Sequence, residues 1–162
     1  MYKSMMIGAL AIAAFAATPA AAAGSGSTAI SGSLATSCSL TAPAAKNDVS
    51  MIVTSQQTVG DVTYKCNFAG NAGFKFHSNN GGAMVMPAAP ANGNVAQSII
   101  YSTALDSDIL GQLTNTAPAA NSTSRSLVAV NTGQAASLKI SLASIASVAG
   151  TYSDVIHMSI NP

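Results

Sequence analysis

The chain has no tryptophan, no glutamate and little charge of either sign, with only 7% of its 162 residues charged. Five Asp face six Lys and Arg, for a formal net charge of +1. So few cations cannot build the basic stripe that neutralises phosphates, which excludes nucleic acid as a partner. A net charge this small also excludes disorder driven by self-repulsion, although Ala, Ser, Thr, Gly and Asn dominate. No HExxH, no GxSxG and no Gly-rich phosphate loop between a strand and a helix is present. The apolar content of 49% overstates the core, because 32 residues are Ala and ten of these precede residue 24. What remains fills one sandwich-sized core.

The first 23 residues read as a secretory leader. Lys3 supplies a positive start, Met5–Ala17 is a short apolar run, Pro19 breaks it, and Ala21-Ala22-Ala23 offers a small-residue cleavage site before Gly24. The run is too short for a bilayer span of about 20 residues, and no later stretch replaces it, so stable membrane insertion is not expected. Cys38 and Cys66 are the only cysteines. An even pair in an exported chain predicts one disulfide, with two buried thiols as the alternative. Closing a loop of that length is worth roughly 3.5 kcal/mol in the chain-entropy model.

From residue 24 onward the pattern is that of short strands. Thr28, Ile30, Gly32, Leu34 and Thr36 alternate with small residues. Val49–Val53 is a β-branched run. Val62, Tyr64, Cys66 and Phe68 form a half-buried set, followed by Phe74 and Phe76. Asn79-Asn80-Gly81-Gly82 predicts a hairpin into Ala83–Met86. Residues 87–94 read as a loop. Ile99-Ile100-Tyr101 opens another strand, Asp106-Ser107-Asp108 marks a turn, and residues 114–124 read as a mobile polar loop. Leu127, Val128 and Val130 suggest a strand that turns at Asn131-Thr132-Gly133. Ala136, Leu138, Ile140 and Leu142 alternate cleanly. Tyr152, Ile156, Met158 and Ile160 share one face of a last strand with Asp154. Short strands at regular spacing, with no helical period after the leader, predict an antiparallel β-sandwich.

Reacting groups are scarce. His77 and His157 have no spacing that links them to each other or to a nucleophile, and each reads as a solvated strand residue. Asp106 and Asp108 are candidates for a calcium site, but a plain turn explains them better because no other acid is near in sequence. Two cysteines without a neighbouring His are too few for zinc. Met51, Met84, Met86 and Met158 read as core filler. Asn121-Ser122-Thr123 matches a glycosylation sequon. Neither an enzyme, a cofactor nor a metal site is expected.

The stretch Gly24–Ser37 stands apart, because it alternates like a strand yet carries no Pro or charge to keep it from pairing. Together with Ser37-Cys38-Ser39-Leu40, Val62-Thr63-Tyr64-Lys65-Cys66, Ile99-Ile100-Tyr101-Ser102 and especially Ala149-Gly150-Thr151-Tyr152-Ser153-Asp154, it makes the chain resemble the spore coat protein U family. That family includes subunits of bacterial pili assembled by the archaic chaperone–usher pathway. The resemblance implies an incomplete immunoglobulin-like antiparallel β-sandwich, over residues 37–162, completed by a donor strand. Residues 24–36 would be the donor extension, with Thr28, Ile30, Gly32 and Leu34 entering a neighbour's groove and Ile30 and Leu34 as its main plugs. The acceptor groove would lie beside Thr151–Asn161, edged by Tyr152, Ile156, Met158 and Ile160. The family's cysteine pair maps onto Cys38 and Cys66. Implied partners are a periplasmic chaperone, an outer-membrane usher and neighbouring identical or related subunits. Implied function is a surface pilus or coat supporting adhesion or biofilm formation, exported through the periplasm. A self-complemented secreted sandwich, acting as a monomeric coat or ligand-binding module, is the alternative. The chain departs from the family in its Ala/Pro/Asn-rich residues 84–98 and in ending on Asn161-Pro162 rather than an aromatic residue.

Overall fold

The computed structural model describes residues 28–116, 121–127 and 130–162. The expected leader and Val128 lie outside the described residues. The chain divides into residues 1–33 and residues 34–162, each taken by itself. Of the first, residues 28–33 are described; they are exposed and carry no strand. The second holds nine strands among the described residues. These are β1 (Cys38–Thr41), β2 (Gln57–Cys66), β3 (Asn71–Ser78), β4 (Ala83–Met86), β5 (Gln97–Leu105), β6 (Asp108–Gly111), β7 (Asn121–Ser126), β8 (Gln134–Leu142) and β9 (Ile156–Asn161). No helix among the described residues is long and apolar enough to cross a membrane.

The strands form an antiparallel, immunoglobulin-like sandwich. One sheet runs β1-β2-β8-β5-β4, with β6 also paired to β5; the other runs β7-β3-β9. Alternation decides which side chains meet between the sheets. Val62 and Tyr64 of β2, Phe74 and Phe76 of β3, and Ala136 and Leu138 of β8 form one core. Tyr64 and Phe74 meet edge to face with ring centroids 4.9 Å apart, the arrangement favoured by ring quadrupoles. Ile99, Tyr101, Ile140 and Leu142 form a second cluster. Cys38 and Cys66 are direct register partners of β1 and β2 and are joined in a disulfide.

Several expectations are corrected. Val49–Val53 is not a strand. The Gln57 side chain takes the place of a strand partner there, accepting from Ser50 N at 2.7 Å and donating to Ser50 O at 2.8 Å. Asn79–Gly82 does not close a hairpin, since β4 pairs with β5 in the opposite sheet. The turn instead carries the chain across the sandwich. Gly82 has φ +73°, and a Cβ on it would lie 2.8 Å from Leu113 N, so the crossing needs a glycine. Within 114–124, residues 121 onward belong to β7. Strand β2 stops at Cys66, before Phe68, and β7 stops before Leu127, while Val130 sits in a turn. The last strand begins at Ile156, not near Tyr152, because Ser153 bridges Val85 of β4 in the other sheet.

Candidate functional site

The two long sides of the sandwich differ. On one, β7 is latched to the β5–β6 turn. Arg125 of β7 places Nη1 3.0 Å from Asp106 Oδ2 and Nε 3.2 Å from Asp108 Oδ2, and its other Nη donates to Leu105 O. Thr123 donates to Asp108 at 2.9 Å, and the Asn121 amide donates to Leu110 O and Gln112 O. Asp106 and Asp108 therefore form an ion-paired turn. Asn121, the candidate sequon residue, is committed to this latch.

The other side is open. Strand β9 is hydrogen-bonded to β3 on one edge and has no strand on the other among the described residues. Near the disulfide, Cys38, Leu40 and Ile160 pack onto the main core. After Thr41 the chain leaves the sheet and runs irregularly to residue 56. A cleft of about 670 Å³ opens between that segment and residues 150–158. Val49, Met51, Val59 of β2, Leu138 and Ile140 of β8, and Ile156 and Met158 of β9 give it apolar lining, and Lys46, Asn47, Ser153 and Asp154 add polar groups. Of the four residues expected at a groove edge, Tyr152, Ile156 and Met158 line this cleft and Ile160 does not. As cleft residues, Val59, Leu138 and Ile140 escaped the sequence reading, although alternation had placed Leu138 and Ile140 on an inward face.

The Ala149–Asp154 motif builds the rim. A Cβ on Gly150 would lie 2.0 Å from Met86 Sδ, so any larger residue there must displace the buried Met86 side chain. The Tyr152 hydroxyl donates to Val148 O at 2.8 Å. Ser153 exchanges two 3.0 Å backbone bonds with Val85. Asp154 is the hub: it accepts from Tyr101 Oη at 2.7 Å, Asn80 N at 3.0 Å and Val155 N at 2.8 Å. Burial, then the hydrogen bond to the Asp154 carboxylate, pushes the Tyr101 phenol well above its usual range. One carboxylate thus holds the point where the chain passes from β4's sheet to β9's.

The residues expected to donate a strand lie elsewhere in the chain. Ile30 is 94% exposed and Leu34 83%, and Thr28 and Gly32 are exposed and outside any strand. Immediately after them the chain is held. Asn67 Nδ2 donates to Ala35 O at 2.8 Å, and Ser37 N donates to Asn67 Oδ1 at 2.7 Å.

This geometry defines a class: an immunoglobulin-like sandwich with a partly apolar cleft along an unpaired strand edge. Comparison with protein-family profiles, curated proteins and solved structures returns no match.

Proposed function

We propose that the chain is a structural subunit of a bacterial surface pilus or coat, exported through the periplasm and polymerised by donor-strand exchange. Adhesion or biofilm formation is the role that such a fibre serves. The observation that carries this reading is the cleft beside the free edge of β9, with its apolar lining from Val59, Leu138, Ile140, Ile156 and Met158. An unpaired strand edge is a template for another chain, and a strand laid into it gains main-chain hydrogen bonds while its alternate side chains fill pockets. The segment Thr28–Leu34 has the required form. Ile30 and Leu34 lie about 13 Å apart in an extended strand, the same spacing as Ile156 and Ile160. Gly32 between them suits close approach of two backbones. The ties from Asn67 to Ala35 and Ser37 leave no slack after Leu34. That favours presentation to a neighbour over folding back. A periplasmic chaperone would cover the cleft until an outer-membrane usher brings the next subunit to it.

The test is Ile30→Asp combined with Leu34→Asp. Burying each side chain is worth about 1.5–3 kcal/mol, and two unpaired carboxylates against the cleft's apolar lining would cost more than that. Surface fibres should disappear while the periplasmic pool of subunit co-purifying with its chaperone is retained, because the cleft itself is unchanged. Normal fibres from the double variant would overturn the donor assignment. Loss of the soluble pool together with the fibres would indicate the self-complemented monomer instead. Ser31→Asp with Ser33→Asp, on the opposite face, should be far milder.

A further inference from the structure

We propose that His77 and His157 form a binding site for a late first-row divalent metal ion of the Cu²⁺, Ni²⁺ or Zn²⁺ class, on the outer face of the β3–β9 pair. This inference is independent of the pilus reading. The two histidines, distant in sequence, are direct register partners across the two strands. Their rings stack with centroids 4.6 Å apart and planes inclined by 13°. Directly opposed residues of an antiparallel pair have Cβ atoms about 5 Å apart, so strand pairing brings two imidazoles together with no further folding cost.

The second observation is Asn79. Its Oδ1 lies 2.8 Å from His157 Nε2. An amide oxygen has no proton to give, so in neutral His157 the Nε2 nitrogen must donate. Nδ1 then keeps its lone pair free for a metal. Metal-binding histidines are oriented in this way by a carbonyl or carboxylate on the other ring nitrogen. Asn79 is therefore a positioning residue. Its own place is set by the 3.0 Å bond from its backbone N to Val155 O.

The surroundings fit a borderline cation better than a hard one. Imidazole nitrogen suits Cu²⁺, Ni²⁺ and Zn²⁺, whereas Ca²⁺ and Mg²⁺ require oxygen ligands. Among the described residues the outward positions flanking the pair are Lys75 on β3, Ser159 on β9 and Ser122 on β7, with no carboxylate. Among the described residues at these outward positions Lys75 is the one cation, and its charge opposes binding. At metal–nitrogen distances of about 2.0–2.1 Å, two ligands side by side sit about 3 Å apart. The stacked rings reach that by fanning about their Cβ–Cγ bonds, and solvent completes the coordination. A bound ion would staple β9 to β3 beside Ser78 and Ile156, at the end where β9 begins.

The experiment uses the full exported chain without an affinity tag, stripped with chelator and titrated with CuCl₂ or ZnCl₂ in a non-coordinating buffer. One ion per chain should bind saturably. At a hundredfold excess over Kd the thermal midpoint should rise by roughly 5–10 °C. Electron paramagnetic resonance of the Cu²⁺ form should show coupling to two imidazole nitrogens. His77→Ala and His157→Ala should each weaken binding at least tenfold, and Asn79→Ala by about tenfold. Lys75→Ala should not weaken it, and Ca²⁺ should give no shift. Coupling to one nitrogen or none, equal binding of Ca²⁺, or unchanged affinity in His157→Ala would overturn the site. The resonance measurement needs only the unmodified chain, so it decides the matter even where a variant fails to fold.

Discussion

The two long sides of this sandwich solve the same problem in opposite ways. Each has two sheet edges facing one another, and each must keep the layers together. On the β7 side the inward positions Asn121, Thr123 and Arg125 reach across to Leu105, Asp106, Asp108, Leu110 and Gln112 with polar bonds. On the β9 side the inward positions Ile156 and Met158 are apolar and look into a cleft. Polar latches are directional and join the two sheets within the chain, although β7, like β9, is a terminal strand of its sheet. The difference separates a side latched by polar bonds from a side that opens into a cleft.

That contrast can be broken by substitution, and the most tightly packed positions should suffer most. Met86 is 1% exposed and packed against Gly150, so Met86→Ala should cost about 2–5 kcal/mol in chemical denaturation. Arg125→Ala follows at about 2–4 kcal/mol. It leaves Asp106 and Asp108 facing each other without a counter-ion and Leu105 O without its donor, although partial exposure of the acids tempers the loss. A melting temperature unchanged by Arg125→Ala would mean that the latch contributes nothing and that the two sides are equivalent.

The rim of the cleft comes next. Asp154→Ala should cost about 2–3 kcal/mol, because the buried Tyr101 hydroxyl and the Asn80 and Val155 amides lose one shared acceptor. The same hub sets a pH dependence. The folded state raises the Tyr101 phenol above its ordinary value of 10.0. Below that value both states keep the proton, and the stabilisation is complete. Above it the unfolded chain releases a proton that the folded chain retains, so stability falls as pH rises past about 10. Burial raises Tyr64 as well, so the slope has two sources. Tyr101→Phe should flatten the alkaline loss, measured as denaturation midpoint against pH; an unaltered slope would remove Tyr101 from this account.

How legible all this was in the sequence follows the same division. Strands β2, β3 and β8 alternate apolar and polar residues because one face meets the core, and each is readable; β5 is marked by Ile99-Ile100-Tyr101 alone, with Ile100 turned outward. Strand β7 was not, because its inward residues Asn121, Thr123 and Arg125 are polar and serve as latches, which imitates a loop. Val49–Val53 misled in the other direction: Val49 and Met51 are apolar because they line the cleft, not because they pair in a sheet. The turn at Asn79–Gly82 was visible, but its chirality and destination were not, since the same residues suit a hairpin and a crossing between sheets. The His77–His157 contact depends on register between strands far apart in the chain, and no local pattern encodes it.

The smallest effect on the subunit alone belongs to the open side, and it is the most informative. Met158 is half-buried and borders a cleft, so Met158→Ala removes atoms that are only partly packed. Its cost to the free subunit should be about 1 kcal/mol or less, well below that of Met86→Ala, because the cavity left behind already opens to solvent. In a fibre the same side chain would lie against an inserted strand. Its truncation should therefore cost more once the cleft is filled. The comparison is made by measuring denaturation of the isolated subunit and dissociation of subunit from fibre for both methionine variants. Met86→Ala should weaken the subunit and leave the strength of the joint, relative to the subunit, near its original value. Met158→Ala should do the reverse. Equal losses in both measurements for Met158→Ala would place it in an ordinary core and leave the cleft without a guest.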